Sequence, residues 1–574
     1  MDSGLIRLAE ADVLVGHNII GYDLPLLQRL EEWGPSSTTR VVDTAVLSRL
    51  LRSDRRIPRG CTGKGGPHSL NAWGHRLGRG KPEHEDWSQY SPEMLHRCSE
   101  DTEINVLVYK ALIQEEAESA LDWSQAKELE HELARIITQQ EINGVPFDKE
   151  KAEALRGDLK VGILDVDEKL VPNIPPVPLS KSRQPKWPEK QFRKDGNPTV
   201  QALKYYGEGH SSYRTDIIVK TEPINLGSDK QVKDYLLTIG WVPTEWNYKK
   251  DPATKKPLRD MRGNKIRTSP KLTEDSFDSL ALDIGKEIAL RLKMAHRLSL
   301  VEGLIDRVRP DGRLTAAAIP MGTPTARMTH SGVVNIPGGE AYLGHELRDL
   351  FGTVEGYTRV GIDLANCQLR ALCHYMEDKE YQRAVLEGTK ENDDDSHCLA
   401  RDLAGLDTRQ QGKKFTYSTL FGAGEDKLAS DLGISVTEAK IAKETFFTNL
   451  PKLASLIADL KKQWKAMGCL IGLDGRGIWV RSEHMLLVYL LQSLEAIVMK
   501  IFIAKMISEI RSRGLMAQLV TTMHDEVQFL VEDKDVDEFS RAAHCAIDEI
   551  NIEFNLTCPQ AIDIQTGNTW ADCH

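Results

Sequence analysis

Three stretches carry residues whose types and spacing suit phosphoryl transfer. In residues 519–531, LVTTMHDEVQFLV, two runs rich in β-branched and apolar residues flank His524, Asp525 and Glu526, the pattern of a hairpin with a polar tip. Adjacent carboxylates at such a tip repel each other, and a cation offsets that repulsion. In residues 359–370, RVGIDLANCQLR, Asp363 ends the short apolar strand Val360, Gly361, Ile362 and precedes a helix-like run. Two strand-end carboxylates from distant parts of a chain are what a two-metal phosphoryl-transfer site requires. Residues 409–424, RQQGKKFTYSTLFGAG, set Arg409, Lys413, Tyr417 and Phe421 four apart, on one face if the stretch is helical. Two cations followed by two aromatics can clamp a triphosphate and stack on a base. Taken singly, the acidic triplet also suits a solvated turn, and the basic run a solvated helix with core aromatics. The order Asp363, 409–424, Asp525 favours the chemical reading.

These side chains need a hairpin, a strand end and a helix, and the chain is long enough to build them on large cores. Its 574 residues allow several domains. The net charge of −11 excludes a generic polyanion binder, so a nucleic-acid surface must come from local basic patches. Nine cysteines show no CxxC pair and no Cys/His zinc spacing, which predicts free thiols in a reducing cytoplasm. The first residues, MDSGLIRLAEADVL, lack the basic start and apolar core of a signal peptide. The apolar run 485–507 is interrupted by Gln492, Glu495, Lys500 and Lys505 and reads as a buried helix, not a membrane span, so no membrane partner is expected. The run Asp393, Asp394, Asp395 ahead of His397 reads as a helix start.

The three stretches resemble motifs A, B and C of the family A DNA polymerases, among them the replicative polymerases of T-seven-like short-tailed bacteriophages. Further matches are PTARMTH (324–330), NIP (335–337), LDGR (473–476) with VRS (480–482), LLQS (490–493) and WADCH (570–574). The resemblance implies a multidomain α/β fold: a right-hand polymerase of palm, fingers and thumb, preceded by an N-terminally truncated RNase H-like 3′–5′ exonuclease domain. The expected boundaries are 1–122 for the exonuclease-like part and 123–313 for the thumb, with a basic, proline-rich insert at about 171–222. The palm then covers 314–375 and 511–574, and the fingers 376–510. In the insert Pro172, Pro175, Pro176 and Pro178 predict extended, loop-like backbone, and its lysines and arginines suit a phosphate track or a solvated loop. Lys293 and Arg297, one turn apart, are candidate phosphate contacts or a solvated face.

By the same resemblance the chain extends a DNA primer on a template with dNTPs and two Mg²⁺ ions. Asp363 and Asp525 are the implied metal ligands, and Glu526 a supporting carboxylate. His397, Arg409 and Lys413 are implied to hold the triphosphate, Lys413 also giving a proton to pyrophosphate, with Tyr417, Phe421 and Gln368 around the nucleotide. Arg327, Gln492 and His524 are implied to meet the primer–template. Gln368 stands where the family has glutamate, which opens the question of sugar discrimination, and Phe421 stands where tyrosine is usual. In the N-terminal part Asp23 and Asp101 match exonuclease motifs, and Asp43 a neighbouring family segment. The Asp-x-Glu strand of that site has no match, and Arg97 takes a tyrosine's place. Impaired proofreading is therefore expected, unless a companion chain or an upstream start supplies the strand. Implied partners are a thioredoxin-like processivity factor at the insert and a replicative helicase-primase, in the host cytoplasm. The rival readings are a phage-type single-subunit RNA polymerase, a nuclease alone and a non-enzymatic DNA-binding remnant. The resemblance associates Tyr417 with weak rejection of dideoxynucleotides. Primer extension is therefore expected to terminate at low dideoxy-to-deoxy ratios, and a profile needing a large dideoxy excess would contradict it.

Overall fold

The computed structural model describes every residue except 1, 62–64, 82–83, 244, 252–256, 273–282 and 574. The chain divides into two units, one of residues 1–148 with 307–574 and the other of 149–306.

In the first unit, strand β1 (Val13–Gly16) runs parallel to β2 (Arg40–Asp43). Asp43, 1 % exposed, ends β2 and caps helix α1 (Thr44–Leu51). Its Oδ1 accepts from the backbone N–H groups of Ala45 and Asn18, each at 2.9 Å, and Oδ2 from Ile20 at 3.2 Å. Asp43 thus closes a helix start and a loop, a structural use of its charge. Helix α2 (Pro92–Glu118) carries Asp101. Helix α3 (Ser124–Asn143) buries Leu129, Leu133, Ile136 and Ile137, as their spacing predicts, and Gly144 ends it at φ 66°. The sequence places α3 at the start of the thumb, but it packs within the first unit, against α1 among others.

The second unit is built on α4 (Lys149–Leu170) and α5 (Asp283–Ile305), joined by a two-pronged pair in which Arg291 Nε and Nη2 donate to Asp167 at 2.8 and 2.9 Å. Between them the proline-rich segment is largely irregular, as its composition suggests, with two short regular pieces. Val177–Pro178 pairs with Thr221–Glu222, a helix spans Val200–Tyr206, and Ile174, Ile224, Leu226, Val232, Leu236 and Trp241 form a small core with Ile288. The apolar residues that supply this burial lie mostly beyond the proline-rich segment, from Ile224 onward. Arg297 is buried, which excludes the solvated-face reading for it.

The first unit resumes with β3 (Tyr357–Leu364), α6 (Cys367–Met376), α7 (Ser396–Ala404) and α8 (Arg409–Leu420). Helix α9 (Leu486–Arg513) follows, then β4 (Ala517–Met523), β5 (Glu526–Glu532), α10 (Val536–Glu553) and β6 (Ile562–Gly567). The four strands form an antiparallel sheet in the order β4-β5-β3-β6. Among the described residues one stretch, Glu483–Arg513, is a helix long and apolar enough to cross a membrane, and 89 % of its apolar window is buried inside the protein. Its polar interruptions are themselves paired. Lys500, fully buried, donates to Glu130 of α3 at 2.5 Å, and Arg476 donates to Glu130 at 2.6 Å and to Asp474 at 2.9 Å. Two cations and two carboxylates balance, and burial still pulls the Lys500 ammonium down to about 8. Lys500→Met removes one cation from this closed set and leaves a buried negative charge in excess. It is expected to cost about 3 kcal/mol, read from the denaturant midpoint. A loss under about 1 kcal/mol would show that the set is solvated or dispensable.

Candidate active site

The register of the sheet gathers the carboxylates. Asp363 on β3 lies directly opposite Glu526 on β5 and Asp563 on β6, so three acidic residues share one row and one face. The hairpin tip is tied to the same place, because the Leu364 N–H donates to the Asp525 carbonyl at 3.0 Å. His524 turns the tip with a left-handed φ of 51°. Burial, followed by Asp525, Glu526, Asp563 and Glu495, pushes the Asp363 carboxyl up to about 7. Glu526 is turned into the sheet: its Oε1 accepts from Trp570 Nε1 at 2.6 Å and from Gln528 Nε2. Trp570 in turn packs edge-on to Phe351 and beneath Arg348.

This donor set suits a hard cation. The oxygens are carboxylates whose mutual repulsion raises the Asp363 pKa, and Mg²⁺ is held by one or two carboxylates completed by substrate phosphates and water. Among the described residues no group of three or more His, Cys, Asp or Glu side chains is placed to hold a metal ion.

Helix α8 begins with a capping box, Thr408 and Gln411 satisfying each other's backbone donors. Gly412 is required by geometry: a Cβ there would stand 2.1 Å from the His397 carbonyl oxygen, so glycine lets α8 lie against α7. Tyr417 and Phe421 stack at 6.4 Å with an interplanar angle of 20°, Phe421 lying just past the helix end and exposed. His397 packs 5.9 Å from Tyr417, and its buried Nδ1 has no hydrogen-bond partner. Burial lowers the His397 pKa, keeping the imidazole neutral near pH 7. Lys413 is exposed. Arg409 is not: its Nε donates to Asp395 at 2.8 Å, and the same Asp395 caps α7 through the N–H groups of His397 and Cys398. Burial works against the Asp395 anion, but Arg409 and those amides outweigh it and hold its carboxyl down to about 2.

A second cluster meets the sheet from α9. Glu495, about 1 % exposed, pairs through Oε1 with Arg327 Nη2 and accepts through Oε2 from Gln368 Nε2 at 2.6 Å. Burial raises the Glu495 pKa and Arg327 opposes that rise. Arg327 Nε is buried without an acceptor. Gln492, half-buried, lies one turn before Glu495. His524 stands perpendicular to His330 at 5.5 Å, and burial, then His524, lowers the His330 pKa to about 4. Glu495 and Asp563 are absent from the residues singled out by sequence. A carboxylate in an apolar helix is a signal for a buried partner, whereas the cross-strand position of Asp563 has no signature in one dimension.

The N-terminal carboxylates are not gathered in this way. Asp101 faces cations: Lys81 Nζ at 2.9 Å and Arg97 Nε at 3.3 Å. The residue standing in the tyrosine's place therefore pairs with the carboxylate that matches the exonuclease motif. Asp23 ends the turn Ile19–Asp23, and burial raises its pKa.

DNA polymerase family A matches residues 206–572. The DNA-directed DNA polymerase of Escherichia phage T7 is 25 % identical over 100 % of this chain and 94 % of its own length. That of Escherichia phage Phieco32 is 27 % identical over 77 % of this chain and 98 % of its own length. A solved structure described as the POL domain of Pol1 from M. smegmatis in complex with DNA primer-template and dNTP shares the fold, at a TM-score of 0.68 and 19 % identity over 93 % of this chain and 83 % of that one.

The two tip carboxylates differ in their contacts, and so should their variants. Glu526→Ala strands the buried donors of Trp570 and Gln528 and is expected to lose about 2 kcal/mol of stability. Asp525→Ala relieves repulsion on Asp363 and is expected to leave stability unchanged or raise it by about 1 kcal/mol. Thermal melting of both variants in metal-free buffer checks the opposite signs; equal losses would overturn the distinction.

Proposed function

The chain belongs to DNA polymerase family A and is a DNA-directed DNA polymerase, and from that premise we propose how its residues perform DNA synthesis. Residues 314–375 and 511–574 act as the palm and 376–510 as the fingers, with 149–306 as the thumb in place of the wider span expected from sequence. Asp363 and Asp525 hold Mg²⁺, which when bound lowers the barrier to attack of a primer 3′-hydroxyl on the α-phosphate and stabilises the departing pyrophosphate. The observation that carries this assignment is the strand-end row in which Asp363, tied to the hairpin tip, carries a carboxyl lifted to about 7 by burial and its acidic neighbours.

Each remaining side chain has a part that follows from its setting. Lys413 contacts the triphosphate directly and donates a proton to the leaving pyrophosphate. Arg409 shares its guanidinium between Asp395 and a phosphate, which the fork of donors allows. His397, neutral and with an unpartnered Nδ1, gives a neutral hydrogen bond and adds no charge. Tyr417 lies under the incoming sugar and base, with Phe421 extending the stack. Gln368 faces the sugar. Arg327 offers its unpartnered Nε, with Gln492 and His524 nearby in role, to minor-groove acceptors of the primer–template. Purine N3 and pyrimidine O2 occur in every correct pair, so such a donor tests pair shape rather than sequence.

The residues of 1–122 serve chiefly as packing in this reading, since Asp101 is already neutralised by Lys81 and Arg97. Proofreading would then need further carboxylates, from a second polypeptide or from residues upstream. The folded insert is the surface for a thioredoxin-like processivity factor, and a helicase-primase is the replicative partner, in phage DNA replication in the host cytoplasm.

The deciding experiment incubates the pure chain with a 5′-labelled primer on a longer template in Mg²⁺, with and without dNTPs, beside Asp525→Ala. Extension by the parent alone, with no primer shortening when dNTPs are withheld, is the expected result. Extension by the variant would remove Asp525 from the metal site, and shortening of the primer would refute the proofreading assignment.

A further inference from the structure

Arg327 and Gln368 are far apart in sequence, yet each uses one oxygen of the same buried carboxylate. Glu495 Oε1 takes Arg327 Nη2, and Oε2 takes Gln368 Nε2 at 2.6 Å. A carboxylate paired with a guanidinium is ionised and has only acceptors to offer. The Gln368 amide can therefore meet it in one orientation. Turned over, the amide would set Oε1 against Oε2 with no proton between them. With Nε2 committed, Oε1 points away from Glu495, so the glutamine presents an oxygen where it would otherwise be free to present a donor. The side chain is also tethered at its far end, which prevents it from swinging aside.

From this geometry we infer that Glu495 is a positioning residue for sugar selection: it pins the Gln368 amide with its oxygen, not its amino group, toward the incoming sugar. The inference rests on the proposed placement of Gln368 beside that sugar. A ribose 2′-hydroxyl, able to donate to that oxygen but not to accept from it, then meets a tethered side chain that cannot retreat, so the exclusion is one of space. Glu495 touches neither nucleotide nor metal in this scheme, and its effect passes through Gln368. The same carboxylate holds Arg327, so sugar selection and primer-end recognition share one anchor.

The test is a charge swap. The ratio of kcat/KM for dCTP over CTP opposite a template guanine is measured for the parent, Q368A, E495Q, Q368E and the double variant Q368E/E495Q. E495Q replaces a pure acceptor by an amide that tolerates either orientation of Gln368, and Q368E sets two carboxylates against each other. Each is expected to lower the ratio by about tenfold or more, the worth of a hydrogen bond to a charged group. In Q368E/E495Q one carboxylate and one amide again face each other, reversed, and the ratio is expected to recover to within about threefold of the parent. A role confined to stability would not give this recovery. An unaltered ratio in E495Q, or a double variant no better than the poorer single, overturns the inference. If E495Q fails to fold, Q368E beside the parent decides, and an unaltered ratio in Q368E overturns the inference. A parent-like ratio in Q368A would overturn the placement of Gln368 itself, and the inference with it; a fall in Q368A without one in E495Q overturns the inference and leaves that placement standing.

Discussion

Like charges set opposite one another on neighbouring strands oppose sheet formation, and this sheet carries such a row at its functional end, Glu526, Asp363 and Asp563. Much of the surrounding structure offsets that repulsion. Strand β3 is paired on both sides, and Val360 and Ile362 are fully buried. Trp570 and Gln528 draw Glu526 into the sheet, so its charge is held by buried donors. Polar atoms in α9 that would otherwise weaken the core are closed into balanced sets, Lys500 with Glu130 and Glu495 with Arg327. Helix α9 can therefore be apolar enough to fill the unit and still supply a carboxylate to the site.

Local pattern made part of this readable before any coordinates. The hairpin around His524 was visible because β-branched runs on both sides of a polar pair leave few alternatives. The helix bearing Arg409, Lys413 and Tyr417 was visible because its chemistry recurs every four residues, and its actual span, Arg409–Leu420, leaves Phe421 just outside. Residues 485–507 carry too many charges for lipid, and the helix that contains them is buried inside the protein.

What escaped notice depends on contacts between distant residues. Glu495 looked like an interruption in an apolar run, and only the fold shows that Arg327 and Gln368 converge on it. Asp395 was legible as a helix start but not as the partner of Arg409, which lies 14 residues on. Asp563 became a neighbour of Asp363 through register alone. The small core of the second unit escaped notice for a different reason: Leu170, Ile174, Ile224, Leu226, Val232, Leu236, Trp241 and Ile288 are scattered over a long stretch of chain, mostly beyond the proline-rich segment. Asp101 matched a motif by position, and its neutralisation by Lys81 depends on a residue no local window contains.

The glycine at position 412 carries a consequence of another kind. Because it removes the side chain that would separate α7 from α8, and because Asp395 both caps α7 and grips Arg409, the two helices are locked as one lever. His397, Arg409 and Lys413 ride on that lever together. On the proposed placement of the triphosphate, its three contacts therefore share one support, and a shift of either helix carries all of them.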